Sequence, residues 1–134
     1  MRITLCGPIE YWWGERWETP ERERYFHWRD QVSAALVEAG HLVYRPHEAF
    51  KGMWDANDGD AFGQRVNDAA ILCSEVVLFL GPAHVPSAGC DDERDVCRAG
   101  TILDWPPPDP YTPIAVDLLL AGLISTLEQR ARRV

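Results

Sequence analysis

Positive charge is scarce in this sequence, because 13 Lys and Arg residues stand against 21 Asp and Glu residues and the formal net charge is −8. A protein that binds duplex nucleic acid needs a basic surface, so this balance disfavours nucleic acid as a partner. The same balance is compatible with a small anionic ligand, since a few backbone amides or one arginine can hold a phosphate locally.

A long hydrophobic run is also lacking. The opening residues, MRITLCGPIEYWW, contain no apolar core of the length that a secretory signal requires. The most apolar stretch, residues 113–127, includes Asp117 and is too short to span a membrane. We therefore expect a cytoplasmic protein without a membrane partner.

Paired-cysteine motifs are absent as well. The four cysteines form no C-x-x-C pair and have no zinc-like spacing. We expect reduced thiols that serve as small apolar groups. Nothing in the ligand spacing indicates a metal or an organic cofactor, so neither is predicted.

The 134 residues and their 46% apolar content fit one packed domain over residues 1–134. Short apolar segments predict strands at 2–6, 41–45, 76–80 and 101–105, and the unbroken apolar run at 76–80 is typical of a central strand buried on both faces. Helical periodicity and capping signals predict helices at 19–39, 64–74, 91–99 and 113–132, with a long loop over 47–63. The inward face of the 64–74 helix is expected to carry Val66, Ala69, Ala70 and Cys73. This alternation predicts an α/β domain, flavodoxin-like or Rossmann-like, with a parallel sheet of four or five strands and helices on both faces.

Chemistry in such a sheet is expected at the carboxyl ends of the strands. Two groups of polar residues lie near those ends. Ser87, Gly89 and Glu93 follow the apolar VVLFL strand, and Asn67 and Asp68 lie on the helix that precedes it. A helix N-terminus favours a carboxylate anion, which suits Glu93 to nucleophilic attack. The alternative is that Glu93 only satisfies the helix end and that Asp68 is solvated.

Three motifs occur in order: Cys-Gly-Pro-Ile after the first strand, Asn-Asp before the VVLFL strand, and Ser-x-Gly-x-x-x-Glu after it. Together they resemble the nucleoside 2-deoxyribosyltransferase superfamily, which includes the nucleoside 5′-monophosphate N-glycosidases, over residues 2–105. The resemblance implies a flavodoxin-like fold and cleavage of an N-glycosidic bond through a glycosyl-glutamate ester. The ester is then hydrolysed, or its sugar is transferred to another base.

The resemblance implies a role for each matching residue. Glu93 would be the nucleophile. Asp68, or Asn67 if the register slips by one, would occupy the family carboxylate position and protonate the leaving base or orient the sugar. Ser87 stands where the monophosphate hydrolases have a phosphate-binding serine, whereas Pro8 and Glu10 replace their Ser and Arg, so nucleoside and monophosphate substrates both stay open.

Further contacts with the substrate are expected from the loops. Tyr11, Trp12 and Trp13 follow the first strand, where they either stack on a base or pack under their own loop. His47 either contacts the ligand or is a polar loop residue. The predicted substrate-binding residues are Gly7, Pro8, Ile9, Tyr11, Trp12, Trp13, His47, Asn67, Ser87 and Gly89.

The last predicted helix is apolar on more than one face, which predicts a homo-oligomer, most simply a homodimer, formed through it. Of the six tryptophans, Trp28 has core spacing on the first helix, and up to five others are expected on the ligand side of the sheet. A second hypothesis of another class is a non-catalytic module that binds or senses nucleotides with the same fold.

Overall fold

The computed structural model describes the backbone of residues 1–7, 19–46, 57–82, 85 and 88–133, and their side chains except at 19, 57–64, 88 and 89. Four parallel strands form one sheet in the order β2-β1-β3-β4. The strands are β1 (Arg2–Cys6), β2 (Leu42–Tyr44), β3 (Val76–Phe79) and β4 (Ile102–Asp104). The helices are α1 (Thr19–Glu38), α2 (Asn57–Cys73), α3 (Ala88–Val96) and α4 (Pro113–Arg132).

Alternation along the strands separates two hydrophobic cores. Ile3 and Leu5 of β1 face one side of the sheet and pack with buried residues of α1 and α4. Cys6 of β1 faces the other side and packs with α2, α3 and the inward side chains of β3. Successive side chains of a strand point to opposite faces, so each strand contributes to both cores. Helices cover the sheet on both sides. The predicted flavodoxin-like α/β fold is confirmed, and the strand order is the doubly wound one.

Helix α1 follows its local sequence signals closely. Tyr25, Trp28, Val32 and Leu36 recur at steps of three and four, and each is fully buried. Gly40 ends the helix with a positive φ of 90°. Its N–H donates to Val37 O, and the N–H of the next residue donates to Leu36 O, both at 3.0 Å. This pair of bonds is a Schellman motif, which satisfies carbonyl groups at the helix end.

Helix α2 departs from the sequence prediction in two ways. It begins at Asn57, inside the expected 47–63 loop. Its inward face carries Asn67 and Ile71, which are 4% and 1% exposed, whereas Ala69 and Cys73 of the predicted inward face are exposed. The adjacent face of the sheet explains this difference, because it presents polar atoms. Thr4 Oγ1 lies 2.7 Å from Ser74 Oγ, and Tyr44 Oη donates to Asn67 Oδ1 at 3.1 Å.

Helix α3 also begins earlier than predicted, at Ala88 rather than residue 91, and it ends at Val96. Glu93 therefore lies in its second turn rather than its first. The difference matters for electrostatics because the dipole of a helix acts mainly within the first turn.

Helix α4 buries Val116, Leu123 and Leu127 and leaves Ile114 and Leu118 mostly exposed, at 75% and 69%. Trp105 packs against α4 and donates from Nε1 to Leu119 O at 2.9 Å. Trp105 is thus half-buried against α4, to which its indole N–H is bonded. Within the described ranges, no helix is long and apolar enough to cross a membrane.

Candidate active site

The carboxyl end of β1 meets the second turn of α3, and Glu93 lies at this junction. The Cys6 thiol at the end of β1 forms a hydrogen bond with the Glu93 carboxyl group. Cys97, one turn further along the chain, donates from Sγ to the Glu93 backbone carbonyl at 3.2 Å. Two thiols therefore hold Glu93, one through its side chain and one through its backbone.

Burial raises the pKa of the Glu93 carboxyl group above its usual value. The hydrogen bond from Cys6 and the charge of Arg29 oppose that shift, whereas the charges of Asp68 and Asp92 add to it. The helix N-terminus led us to expect a Glu93 carboxylate with low proton affinity, whereas the pKa of Glu93 is raised in the structure. Loss of solvent outweighs the helix dipole, whose effect is weak at the second turn.

The Cys6 thiol stays protonated in this environment. Burial is the largest cause of its pKa rising well above the usual range, and the nearby Glu93 charge raises it further. A neutral thiol is a weak hydrogen-bond donor, so Cys6 donates and the carboxylate accepts. Protonation of Cys6 thus favours the charged form of Glu93.

Helix α1 contributes Tyr25 to the same region. The ring is fully buried, and its hydroxyl lies so close to Gly7 that a Cβ at position 7 would overlap it. Burial raises the pKa of the Tyr25 hydroxyl, which therefore remains neutral. Gly7 was predicted to bind substrate; the structure shows that its missing side chain makes room for the tyrosine.

Arg29 lies one turn after Tyr25 and is only 3% exposed. Its guanidinium carbon is 5.8 Å from the centre of the Tyr25 ring and 6.0 Å from that of Phe26. Within the described part of the chain, no acceptor reaches Arg29 Nε or Nη1, although both atoms are buried. A buried guanidinium with unpaired donors is costly, which marks Arg29 as a residue with a role other than packing.

Asn67 and Asp68 are adjacent on α2 but have different surroundings. Asn67 is buried and accepts a hydrogen bond from Tyr44 Oη at the end of β2. Asp68 is half-buried, and its charge reaches Glu93. Asp68 and Glu93, the two residues predicted to be catalytic, therefore interact electrostatically, and Asn67 lies beside them with a different partner.

Arg45 follows β2 and forms an ion pair with Asp30 of α1, in which Nη2 lies 2.5 Å from Oδ1. Gly89 lies in the first turn of α3. The other predicted substrate-binding residues fall outside the described part of the chain, namely Pro8, Ile9, Tyr11, Trp12, Trp13, His47 and Ser87.

Four residues of this site were missed in the sequence, namely Cys6, Tyr25, Arg29 and Tyr44. Cys6 was interpreted as an apolar thiol, although it directly precedes the Gly-Pro that ends β1. Tyr25 and Arg29 are four residues apart, so they share one helix face, and an arginine on a buried face is a detectable signal. Tyr44 lies one residue before the end of the strand predicted at 41–45, close to where functional side chains are expected.

The site has the side chains needed for acid–base or nucleophilic chemistry on an uncharged atom of a substrate. Glu93 can be a base or nucleophile when charged, and Asp68 is a second carboxyl group within electrostatic range. Among the described side chains, no group of three or more His, Cys, Asp or Glu residues could hold a metal ion.

No family model, curated protein or solved structure matches this chain.

Proposed function

We propose that this protein cleaves the N-glycosidic bond of a (deoxy)nucleoside or a nucleoside 5′-monophosphate, with Glu93 as the nucleophile. The observation that carries the proposal is the electrostatic interaction between two half-buried carboxyl groups, Glu93 and Asp68, near the carboxyl ends of parallel strands, in which the charge of Asp68 raises the pKa of Glu93. These are the two residues to which the family resemblance assigns the chemistry. Retaining glycosidases likewise act through two carboxyl groups on a sugar.

The reaction then has two steps. A Glu93 carboxylate oxygen attacks C1′ of the sugar, the C1′–N bond breaks, and the base nitrogen takes a proton from Asp68 if that group is protonated. An ester now joins the sugar to Glu93. In the second step, water or another base attacks C1′, the ester bond breaks, and Glu93 leaves as a carboxylate. The proton that the attacking water or base loses passes to Asp68, which restores the starting state.

The surroundings of Glu93 support the nucleophilic role of its carboxylate. Partial burial makes the carboxylate more basic, which favours attack on an electrophilic carbon. Cys6 stabilises the carboxylate with a hydrogen bond at the moment when it must be charged. Neutral Tyr25 bounds the site without adding negative charge.

Two further parts of the proposal concern location and assembly. A cytoplasmic location agrees with four cysteines that are all free thiols. A homodimer formed through α4 would cover the exposed Ile114 and Leu118. Sedimentation of the purified protein tests the second point, since a monomer at micromolar concentration contradicts it.

The test of the activity is direct. The protein is incubated with a panel of nucleosides and nucleoside 5′-monophosphates, with and without a second free base, and the products are separated by chromatography. We expect a free base from at least one substrate, and an exchanged nucleoside if a base is the acceptor. Binding without base release would favour the alternative, a non-catalytic nucleotide-binding module.

Two variants on helix α3 separate loss of the nucleophile from general effects of a substitution on the protein. Glu93→Ala removes the nucleophile and should reduce base release by a factor of at least about 10³, as expected for loss of a covalent catalyst. Asp95→Asn is the matched control, because Asp95 is an exposed carboxylate two residues along α3. Equal rates in Glu93→Ala and the unaltered protein would refute the assignment of Glu93.

A further inference from the structure

Helix α1 carries an arginine whose guanidinium has no hydrogen-bond partner in the described part of the chain. Arg29 is 3% exposed, and its Nε and Nη1 atoms are buried without an acceptor there. No ion pair among the described residues reaches it either. Unpaired donors and an unpaired charge in the interior are costly, because they have lost their contact with water. Packing of the described residues therefore gives no reason for a cation at this position.

The Arg29 side chain points toward the carboxyl ends of the strands. Its guanidinium carbon lies 5.8 Å from the centre of the Tyr25 ring and 6.0 Å from that of Phe26, four and three residues earlier on α1. The side chain is therefore directed back along the helix, as helical side chains usually are. Since α1 connects the parallel strands β1 and β2, it begins at the carboxyl end of the sheet.

Tyr25 lies beside the Arg29 guanidinium and also contacts the end of β1. Its hydroxyl is so close to Gly7 that a Cβ at position 7 would overlap it, and Gly7 directly follows Cys6, the last residue of β1. In the strand order β2-β1-β3-β4, the connections from β1 and β3 lead to opposite edges of the sheet. Open α/β sheets bind ligands in the crevice at such a reversal. The unpaired guanidinium thus lies beside the expected ligand crevice.

We propose that Arg29 is a phosphate-binding residue, whose guanidinium takes a phosphate group that enters at the carboxyl ends of β1 and β3. The planar N–H groups of a guanidinium match phosphate oxygens, and a phosphate supplies the charge that compensates a buried cation. Arg29 is not one of the positions to which the family resemblance assigns phosphate binding. Joined to the proposed function, and to that extent resting on it, the inference selects nucleoside 5′-monophosphates over nucleosides as substrates.

Inorganic phosphate is the first probe, because its binding needs no turnover. Thermal unfolding of the whole chain is followed while millimolar sodium phosphate replaces sodium chloride at constant ionic strength. A ligand that binds only the folded state raises the melting temperature in a saturable way. We expect this rise in the unaltered protein and an apparent Kd at least about tenfold larger in Arg29→Gln, as for loss of a charged hydrogen-bond donor. Arg29→Lys keeps the charge but not the planar fork, so its affinity should lie between the two.

Arg24→Gln is the matched control, because Arg24 lies on the same helix but is exposed. It removes the same formal charge and should leave the phosphate affinity within about twofold, since exposed charges are screened by solvent. If Arg29→Gln does not fold, Arg29→Lys answers the same question, because it keeps the buried charge and must still bind phosphate more weakly.

Nucleotides identify the source of the phosphate group. Calorimetric titrations use Glu93→Gln, which lacks the nucleophilic carboxylate, so that the ligand stays intact. A nucleoside 5′-monophosphate should bind at least about tenfold more tightly than its nucleoside, and adding Arg29→Gln should abolish the difference. If inorganic phosphate binds through Arg29 but the monophosphate gains nothing over its nucleoside, the site takes free phosphate and the selection of monophosphate substrates is wrong.

Three results would overturn the inference. Neither inorganic phosphate nor a monophosphate stabilising the unaltered protein beyond chloride would show that it has no phosphate site. Equal phosphate affinity in Arg29→Gln and in the unaltered protein would place the binding elsewhere. A loss in Arg24→Gln as large as in Arg29→Gln would show that net charge matters and the buried guanidinium does not.

Activity separates this inference from the proposed function. If phosphate binds through Arg29 but no substrate releases a base, the phosphate site stands and the proposed reaction is wrong. If bases are released, Arg29→Gln should raise KM for a monophosphate and leave KM for its nucleoside unchanged. Equal effects on both substrates would mean that the reaction stands and that Arg29 does not bind the phosphate of the substrate.

Discussion

Replacing Glu93 with glutamine should make the folded protein more stable at neutral pH while it removes the proposed chemistry. Burial raises the pKa of Glu93 above its value of 4.5 in an unfolded chain. Such a group contributes stability while it is protonated, and that stability is lost as the pH rises through the folded-state pKa. Glutamine is neutral at every pH, has nearly the same shape, and can still accept the hydrogen bond from Cys6.

The magnitude follows from the linkage between pKa and stability. Each unit by which the folded-state pKa exceeds the unfolded value costs the wild-type protein about 1.4 kcal/mol once Glu93 is ionised. The penalty is absent below the unfolded value of 4.5. It grows as the pH rises from there and becomes constant above the folded-state pKa. The stability difference between Glu93→Gln and the wild type should follow the same curve.

Both proteins are unfolded with urea at intervals from about pH 4 to about pH 8, and their free energies of unfolding are compared. The difference between these free energies cancels the contribution of every group that titrates alike in both proteins. Asp95→Asn, on the exposed side of α3, should show no such pH-dependent gain. A stability difference that stays flat or falls with rising pH would mean that ionised Glu93 is well compensated, which would refute the assignment of burial as the dominant effect.

Two further predictions concern packing and capping. Gly7→Ala should destabilise the protein by about 1–3 kcal/mol, as overpacking does, because its Cβ would overlap the Tyr25 hydroxyl. Urea unfolding of Gly7→Ala/Tyr25→Phe checks this reason: the double variant should lose less than the two single losses combined, and strict additivity would contradict it. Thr112→Ala should cost about 1 kcal/mol, because Thr112 caps α4 by accepting a backbone hydrogen bond at 3.2 Å. Thr112→Ser keeps the acceptor, so thermal unfolding should place it near the wild type; equal losses in both variants would contradict a capping role.

Elements whose signals are local could be predicted from the sequence. Helix α1 begins at Thr19 and Pro20 and ends before Gly40, as its start and stop residues indicate. The unbroken apolar run at β3 predicted a central strand buried on both faces, and all four of its residues are buried. Alternation of strands and helices then sufficed for the parallel sheet, because parallel strands need crossover connections.

Helix α2 shows where local signals failed. The sequence around Asn57 and Gly59 has turn propensity, yet the helix begins there. Its inward face was assigned by counting apolar residues, whereas the structure buries Asn67 against Tyr44. Tyr44 on the sheet supplies a hydrogen-bond partner, so a polar residue is more favourable than an apolar one on that face of the helix. This contact joins residues from different elements, so it follows from the tertiary structure and not from the local sequence.

The sequence by itself determined the class of fold and brought Asp68 and Glu93 forward as candidates, since periodicity, capping and motif order are properties of short segments. Only the tertiary structure decided the electrostatic state of Glu93 and the burial of Arg29. Desolvation and charge–charge interactions depend on which elements surround a group, and here four elements distant in sequence converge on one carboxyl group.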